Sequence, residues 1–226
     1  MDLSIPVTFI FSLSANLAFY LTFRDFLGTT EAKRSWILTL ASSCTTTLSG
    51  LYHLCLLFLH GWEDVEFLTS HTFLSQATLL YFISYLVLDL VVGSLDYRSK
   101  ITLLAGWTHH TAYIAVLVYL VAQQQAIPFC LFLFEELPTA SFSVGFLVSG
   151  LRSDNFFGGS YLATRLALHV YLSFVVTQMA LPGWHFAVAV IPLHGFWFWQ
   201  WVQQQRRLEK LQFLDWYDFS FFFLST

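Results

Sequence analysis

The basic residues of this chain are confined, with one exception, to alternate gaps between its hydrophobic stretches. Seven such stretches can be marked, at 3–23, 36–59, 71–93, 101–122, 127–149, 161–181 and 184–201. Each approaches or exceeds the roughly 20 residues with which an α-helix crosses a bilayer. The bases in the odd-numbered gaps and the tail are Arg24, Lys33, Arg34, Arg98, Lys100, Arg152, Arg206, Arg207 and Lys210, which is nine of the ten Lys and Arg residues. The pattern predicts seven transmembrane helices.

This alternation also predicts an orientation. Cytoplasmic loops of membrane proteins carry an excess of Lys and Arg, so the odd-numbered gaps and the C-terminus are expected in the cytoplasm. The N-terminus is then expected on the lumenal or outer side. The fold class predicted is an all-α membrane protein of seven helices, six or seven of which enclose a polar-lined cavity open toward the cytoplasm.

Composition agrees with a single membrane domain. Hydrophobic residues make up 57% of the chain and charged residues 11%, with 25 Phe and 8 Trp. A soluble domain of this size could hardly bury that much aromatic surface. No basic patch is available for nucleic acid, so nucleic acid is not expected as a partner and the bilayer is; the oligomeric state is not indicated.

Many ionisable residues lie inside the hydrophobic stretches, where they are costly and usually face a cavity or the bundle interior. They are His53, Asp89, His109, His110, Glu135, Glu136, Arg165, His169 and His194. Counted at about 1.5 Å per residue from the cytoplasmic ends, Asp89 and Arg165 lie about 6 Å deep and most of the others about 12 to 20 Å deep. The depths predict an ion pair of Asp89 with Arg165 and, below it, a layer of imidazoles around the carboxylate of Glu136.

Polar residues within the stretches recur at helical spacing, as a shared cavity requires. The four stripes are Ser12, Asn16 and Tyr20; Thr46, Ser49 and His53; Tyr81, Tyr85 and Asp89; and Tyr161, Arg165, His169 and Ser173. The alternative is that these residues form ordinary interhelical hydrogen bonds. Two prolines, Pro138 and Pro192, lie two residues from Glu136 and His194, and predict helix kinks beside the polar centre.

The residue types inside the hydrophobic stretches argue against several kinds of membrane chemistry. All three lysines, Lys33, Lys100 and Lys210, lie in gaps or the tail, so a retinal Schiff base inside the bilayer is not expected. Histidine pairs three or four residues apart, which membrane di-iron oxygenases use, do not occur. Serine and zinc protease motifs are also missing. The sequence predicts neither a metal site nor a cofactor, although acyl-CoA is a possible substrate.

The order of the polar motifs resembles the TLC-domain family, which groups ceramide synthases with membrane proteins of lipid homeostasis. The matching motifs are YFISYLVLDLVV at 81–92, HHT at 109–111, ELPT at 136–139, Arg165 and PLHGFWFWQWV at 192–202. The resemblance covers about 36–210, which implies a first helix and loop at 1–35 and a cytoplasmic or interfacial tail at 211–226. It also implies an acyl-binding pocket and the endoplasmic reticulum.

Within that family, ceramide synthases follow the His-His pair with a His-Asp and a further Asp. The segment TAYIAVLVYLVAQQQ after His110 supplies neither aspartate, so the chain is more similar to the small TLC-domain proteins of lipid homeostasis. Those relatives tend to have Asn before the last aromatic cluster, where this chain has His194.

These residues and the resemblance lead to three candidate functions. The first is binding or remodelling of acyl lipids, with a substrate site at His53, Tyr85, Asp89, Arg165, His169 and His194. The second is an acyltransferase, in which His109 or His110 is base or nucleophile and Glu136 or Asp89 orients it. The third is a proton-coupled transporter that uses the carboxylates and histidines.

Overall fold

The chain folds into a bundle of helices. A computed structural model describes residues 3–61 and 64–214, apart from the side chains of 104, 105 and 209–214. Of the described residues 88% are helical and none lies in a strand, which confirms the all-α class. The α-helices are α1 Ser4–Leu27, α2 Glu31–Arg34, α3 Ile37–His60, α4 Val65–Thr69, α5 Phe73–Asp96, α6 His109–Ala122, α7 Ala126–Phe132, α8 Leu137–Leu147, α9 Asp154–Tyr161, α10 His169–Gln178 and α11 Trp184–Leu214.

Seven long helical segments correspond to the seven hydrophobic stretches. Four are continuous, namely α1, α3, α5 and α11, and three are composite. In the fourth segment the π-helix Leu103–Thr108 leads into α6. In the fifth, the 3₁₀-helix Leu133–Glu136 joins α7 to α8, and in the sixth the π-helix Leu162–Leu168 joins α9 to α10. The short 3₁₀-helices Arg98–Lys100 and Ser149–Leu151 lie in the gaps.

Three segments are long and apolar enough to cross a membrane: Ser4–Leu27, Phe73–Asp96 and Ala126–Leu147. Their composition supports a membrane protein. The last helix continues to Leu214, so the predicted tail at 211–226 begins within α11. The rest of that tail, 215–226, lies outside the described residues.

The first helix shows why the chain suits a lipid environment. Its buried residues are the polar stripe Ser12, Asn16 and Tyr20, whereas large apolar side chains elsewhere on it are exposed. Asn16 Nδ2 donates a 3.1 Å hydrogen bond to Ser84 Oγ on α5, against which α1 packs. Apolar residues outside and hydrogen-bonded polar residues inside are the arrangement expected in lipid. The stripe in α1 is buried, and the contact of Asn16 matches the alternative of interhelical hydrogen bonds rather than a shared cavity.

Helix α5 is central to the bundle, because it packs against α1, α3, α6 and α7. The neighbouring α3 approaches the fifth segment backbone to backbone. A Cβ at Gly50 would lie 2.1 Å from the amide nitrogen of Phe134. Since no other residue fits so close an approach, Gly50 fixes the position of the 3₁₀-helix that begins at Leu133.

The odd-numbered gaps meet at one end of the bundle, here called the basic end. Lys33 Nζ, in the first gap, donates a 3.2 Å hydrogen bond to the carbonyl of Leu147 at the end of α8. The backbone amide of Ser99, in the third gap, donates to Glu31 Oε1 at 2.9 Å. That hydrogen bond lowers the pKa of the exposed Glu31 carboxyl.

Asp96 holds the basic end together. Its carboxylate lies 3.1 Å from Arg24 Nε and 3.3 Å from Arg34 Nε, and it accepts a hydrogen bond from the hydroxyl of Tyr20. The last residue of α5 is therefore joined to α1 and α2. These contacts place the first and third gaps side by side, as their shared charge predicted.

The even-numbered gaps meet at the opposite end, here called the base-free end. Leu68 of α4, Ile127 of α7 and Leu181 after α10 belong to one buried apolar cluster. Gln124 adopts a positive φ of 56° where the chain turns between α6 and α7. Successive gaps along the sequence thus lie at opposite ends of the bundle.

Candidate functional site

The break in the fifth segment positions two adjacent carboxylates. Glu135 and Glu136 end the 3₁₀-helix, and Pro138 lies in the first turn of α8. Proline is tolerated there because the amide that it lacks would have no helical partner. At the predicted kink beside Pro138 the chain changes from a 3₁₀-helix to an α-helix. Because of this change, the side chains of Glu135 and Glu136 point in different directions.

Three buried side chains from three segments form what we call the Glu135 cluster: Glu135, His169 of α10 and His194 of α11. His169 Nδ1 lies 2.8 Å from Glu135 Oε1 and 2.9 Å from Oε2. His194 Nε2 lies 3.4 Å from Glu135 Oε2. The three residues are 3 to 6% exposed. The predicted layer of imidazoles around a carboxylate is present, but its carboxylate is Glu135.

Arg165 binds the other glutamate. Its Nη2 donates hydrogen bonds to Glu136 Oε1 at 2.7 Å and to Thr139 Oγ1 at 2.8 Å, and its Nε donates to the backbone carbonyl of Glu135 at 2.9 Å. The predicted ion pair of Arg165 with Asp89 is therefore wrong. Arg165 lies in the π-helix Leu162–Leu168, and π-helical turns occur frequently at functional sites.

Asp89 belongs to a second polar group. Its Oδ1 accepts a 2.6 Å hydrogen bond from the hydroxyl of Tyr97, and its Oδ2 lies 3.2 Å from His110 Nε2. His110 Nδ1 donates to the carbonyl of Gly106 at 2.9 Å. His110 thus joins the fourth segment to α5, and both of its ring nitrogens face groups of the bundle.

A partly open cavity of about 60 Å³ lies next to the Glu135 cluster. Most of its wall is apolar or aromatic and comes from α5, α6, α7, α10 and α11. Polar side chains are gathered in one part of the lining. They are Glu135, Glu136, Arg165, His169 and His194.

The lining separates the predicted site residues into two sets. Glu136, Arg165, His169 and His194 contribute to it. Five others do not: His53, Tyr85, Asp89, His109 and His110. The two adjacent histidines point to different neighbours, as their different azimuths on a helix require.

The remaining predicted residues make local contacts. His53 Nδ1 donates to the carbonyl of Ser49 at 2.8 Å, within its own helix. The Tyr85 hydroxyl lies 3.2 Å from Thr39 Oγ1. His109 packs its ring 4.6 Å from that of Tyr113. The contact of Tyr85 with α3 matches the alternative of interhelical hydrogen bonds.

The cavity extends toward the base-free end. From His194 its lining follows α11 back to Trp184, a distance of about 15 Å at 1.5 Å per residue. It also includes Leu120, Pro128 and Gly183, beside the fourth and sixth gaps. The predicted opening of the cavity toward the cytoplasm stays a prediction.

Sequence reasoning did not assign a site role to Glu135, although it recognised the residue as intramembrane. It also gave no role to Tyr113, which lines the cavity, or to Tyr97. The signal for Glu135 was its position beside Glu136 and Pro138. For the tyrosines no signal was available, since aromatic residues are abundant throughout the chain.

The fold and site together define a class: an all-helical, membrane-type bundle with a buried carboxylate and histidine cluster at an internal cavity. No family model matches the sequence, and neither a curated protein nor a solved structure matches it. The resemblance to the TLC-domain family therefore stays a prediction.

Proposed function

We propose that the protein is a TLC-domain-like membrane protein of lipid homeostasis that binds an acyl lipid inside its helix bundle. The observation that carries this proposal is the cavity, which has an apolar wall and one polar region. Binding sites for small molecules are typically apolar clefts with a few precisely placed polar groups.

The distribution of polarity favours an amphipathic ligand. Phe129, Phe132 and Val176 are among the apolar lining residues, and an acyl chain is the ligand that such a wall solvates best. Arg165 and Glu136 supply both a donor and an acceptor at the polar region. A lipid would then bind with its tail along the wall and its polar group beside Arg165.

The proposed topology follows from the charge pattern. The bundle has seven membrane crossings, with the basic end in the cytoplasm and the N-terminus in the lumen of the endoplasmic reticulum. In that orientation the apolar part of the cavity extends toward the lumenal half of the bilayer.

Lipid binding is tested by filling the cavity. Val116 of α6 lines it, whereas Val118 on the same helix is 52% exposed on the outer surface. We expect Val116→Trp to reduce the lipid that copurifies with the protein by at least about tenfold, which corresponds to about 1.4 kcal/mol of lost binding. Val118→Trp is the matched control and should leave it unchanged.

The measurement is mass spectrometry of solvent extracts from protein purified at equal yield. Equal lipid occupancy of the two variants would contradict the proposal. Recovery of the same random membrane lipids from both would do so as well.

A second candidate function, acyl transfer, is favoured by one contact. His194 Nε2 lies 3.4 Å from Glu135 Oε2, and its Nδ1 has no hydrogen-bond partner among the described residues. A carboxylate thus orients the ring and leaves one nitrogen for a substrate, as a base or nucleophile requires. His109 and His110, which the sequence favoured for this role, are outside the lining. An acyl group covalently bound to purified protein, and lost in His194→Ala, would support transfer. Lipid that solvent removes completely supports binding alone.

A further inference from the structure

We propose that Glu135, His169 and His194 bind a divalent transition-metal ion of the zinc or ferrous class. Two imidazoles and one carboxylate are a recurrent ligand set for both ions. The proposal concerns the metal alone and does not depend on lipid binding, because metal content can be measured whether or not a lipid is bound.

The ligand atoms are already close together. One atom from each residue lies within 4.8 Å of the other two. In a tetrahedral zinc site, with bonds of about 2.0 to 2.2 Å, ligand atoms are about 3.3 Å apart. The contact between His194 Nε2 and Glu135 Oε2 is 3.4 Å, so it already has that separation. The other separations need changes of about 1.5 Å or less.

The tautomer of His169 favours a cation between it and Glu135. Its Nε2 lies 2.8 Å from the carbonyl of Ala187, which can only accept a hydrogen bond, so Nε2 carries a proton. Neutral His169 then presents the lone pair of Nδ1 to both carboxylate oxygens. A metal ion or a second proton makes this contact favourable.

The bond to Ala187 is also the outer-shell contact that metal-binding histidines usually make. A histidine ligand commonly donates its other ring N–H to a carbonyl or carboxylate, which fixes the ring and its tautomer. His169 does so across the bundle, from α10 to α11. The ring is therefore fixed with Nδ1 facing Glu135 before any ion arrives.

His194 is free to complete the site. It is 3% exposed, and its Nδ1 has no hydrogen-bond partner among the residues that the structure describes. Its one polar contact from the ring is the 3.4 Å approach to Glu135. A small rotation toward an ion would therefore break no strong hydrogen bond.

The charges of the region suit a dication. Glu135 and Glu136 carry two negative charges, and Arg165 carries one positive charge, bound to Glu136. With neutral imidazoles the buried site is one charge negative, which is costly in a low-dielectric interior. A divalent ion that carries a hydroxide or one anionic ligand would make the same site neutral.

The ion would face the cavity, since all three ligands are among its lining residues. Three protein ligands leave a fourth position for water or substrate, which is the arrangement of catalytic rather than structural zinc sites. The ligand class expected there is an oxygen donor, such as water or an ester or phosphate oxygen. Such a metal polarises a carbonyl or makes a hydroxide available at neutral pH.

The test is elemental analysis of the full chain, purified in detergent without chelators or an affinity tag that binds metal. We expect close to one equivalent of zinc or iron per chain, and loss of most of it in Glu135→Gln and His169→Ala. His185→Ala is the matched control, because His185 lies on α11 with His194 but is exposed. It should keep the full metal content.

A second variant guards against misfolding. His194→Cys supplies a thiolate ligand in place of an imidazole, so it should retain metal that His194→Ala loses. Reconstituted with cobalt(II), it should gain a sulfur-to-metal absorption band that the unsubstituted protein lacks. Metal absent from the control after zinc loading, or retained equally by all variants, would overturn the proposal. In the first outcome a proton bridges His169 and Glu135; in the second the metal is adventitious.

Discussion

Two double-mutant cycles decide which carboxylate pairs with Arg165. The structure joins Arg165 to Glu136 at 2.7 Å, with side chains only 13% and 23% exposed. Removing one partner of a buried ion pair costs about 3 to 5 kcal/mol, because the other charge is left uncompensated. Arg165→Gln also removes the bonds to Thr139 and to the Glu135 carbonyl.

The expected coupling energy of Glu136→Gln with Arg165→Gln is about 2 kcal/mol. It should exceed the roughly 0.6 kcal/mol average for hydrogen-bonded pairs inside membrane proteins, because both partners are charged. The coupling energy should be smaller than the cost of Arg165→Gln alone, since part of that cost comes from losing the hydrogen bond to Thr139. The double variant is therefore more stable than the sum of the single losses implies.

The assay is the free energy of unfolding of the four proteins in bicelles, for example by steric trapping. The control cycle is Asp89→Asn with Arg165→Gln, and we expect additivity there within about 0.5 kcal/mol. Coupling of Asp89 with Arg165 as large as that of Glu136 with Arg165 would refute the pairing of Arg165 with Glu136. So would additivity in both cycles.

Two further predictions concern packing and topology. Gly50→Ala should destabilise the protein by about 1 to 3 kcal/mol through overpacking, because its Cβ would lie 2.1 Å from the Phe134 amide nitrogen. Gly150→Ala, where nothing lies within 4 Å, should change the unfolding free energy by less than about 0.5 kcal/mol. A glycosylation acceptor inserted near Gln124 should be modified in microsomes and one near Tyr97 should not. Modification near Tyr97 alone would show the opposite orientation.

The sequence was sufficient for the architecture because lipid imposes simple rules. Hydrophobic length located the seven segments to within a few residues at most ends, apart from the start of the sixth and the end of the seventh. Alternating charge predicted the two ends that the contacts of Lys33 and Asp96 show. Polar periodicity identified the buried face of α1 at Asn16.

The same reasoning failed for the pairing of charges, for a physical reason. It counted the depth of Arg165 from residue 161, whereas the sixth segment begins with α9 at Asp154. The seven further residues place Arg165 about 10 Å deeper, close to the level of Glu136. Glu136 therefore reaches Arg165, and Asp89 is left to His110 and Tyr97.

The π-helix at 162–168 has a consequence for how this chain can change in length. It contains Arg165 and ends immediately before His169, so it sets the angle between the guanidinium and the imidazole around the helix axis. Deleting one residue there would favour an ordinary α-helical turn and change the angle between the two groups around the helix axis. A loop in a gap can gain or lose a residue without moving either group. Insertions and deletions should thus be tolerated between the segments and excluded from this one turn.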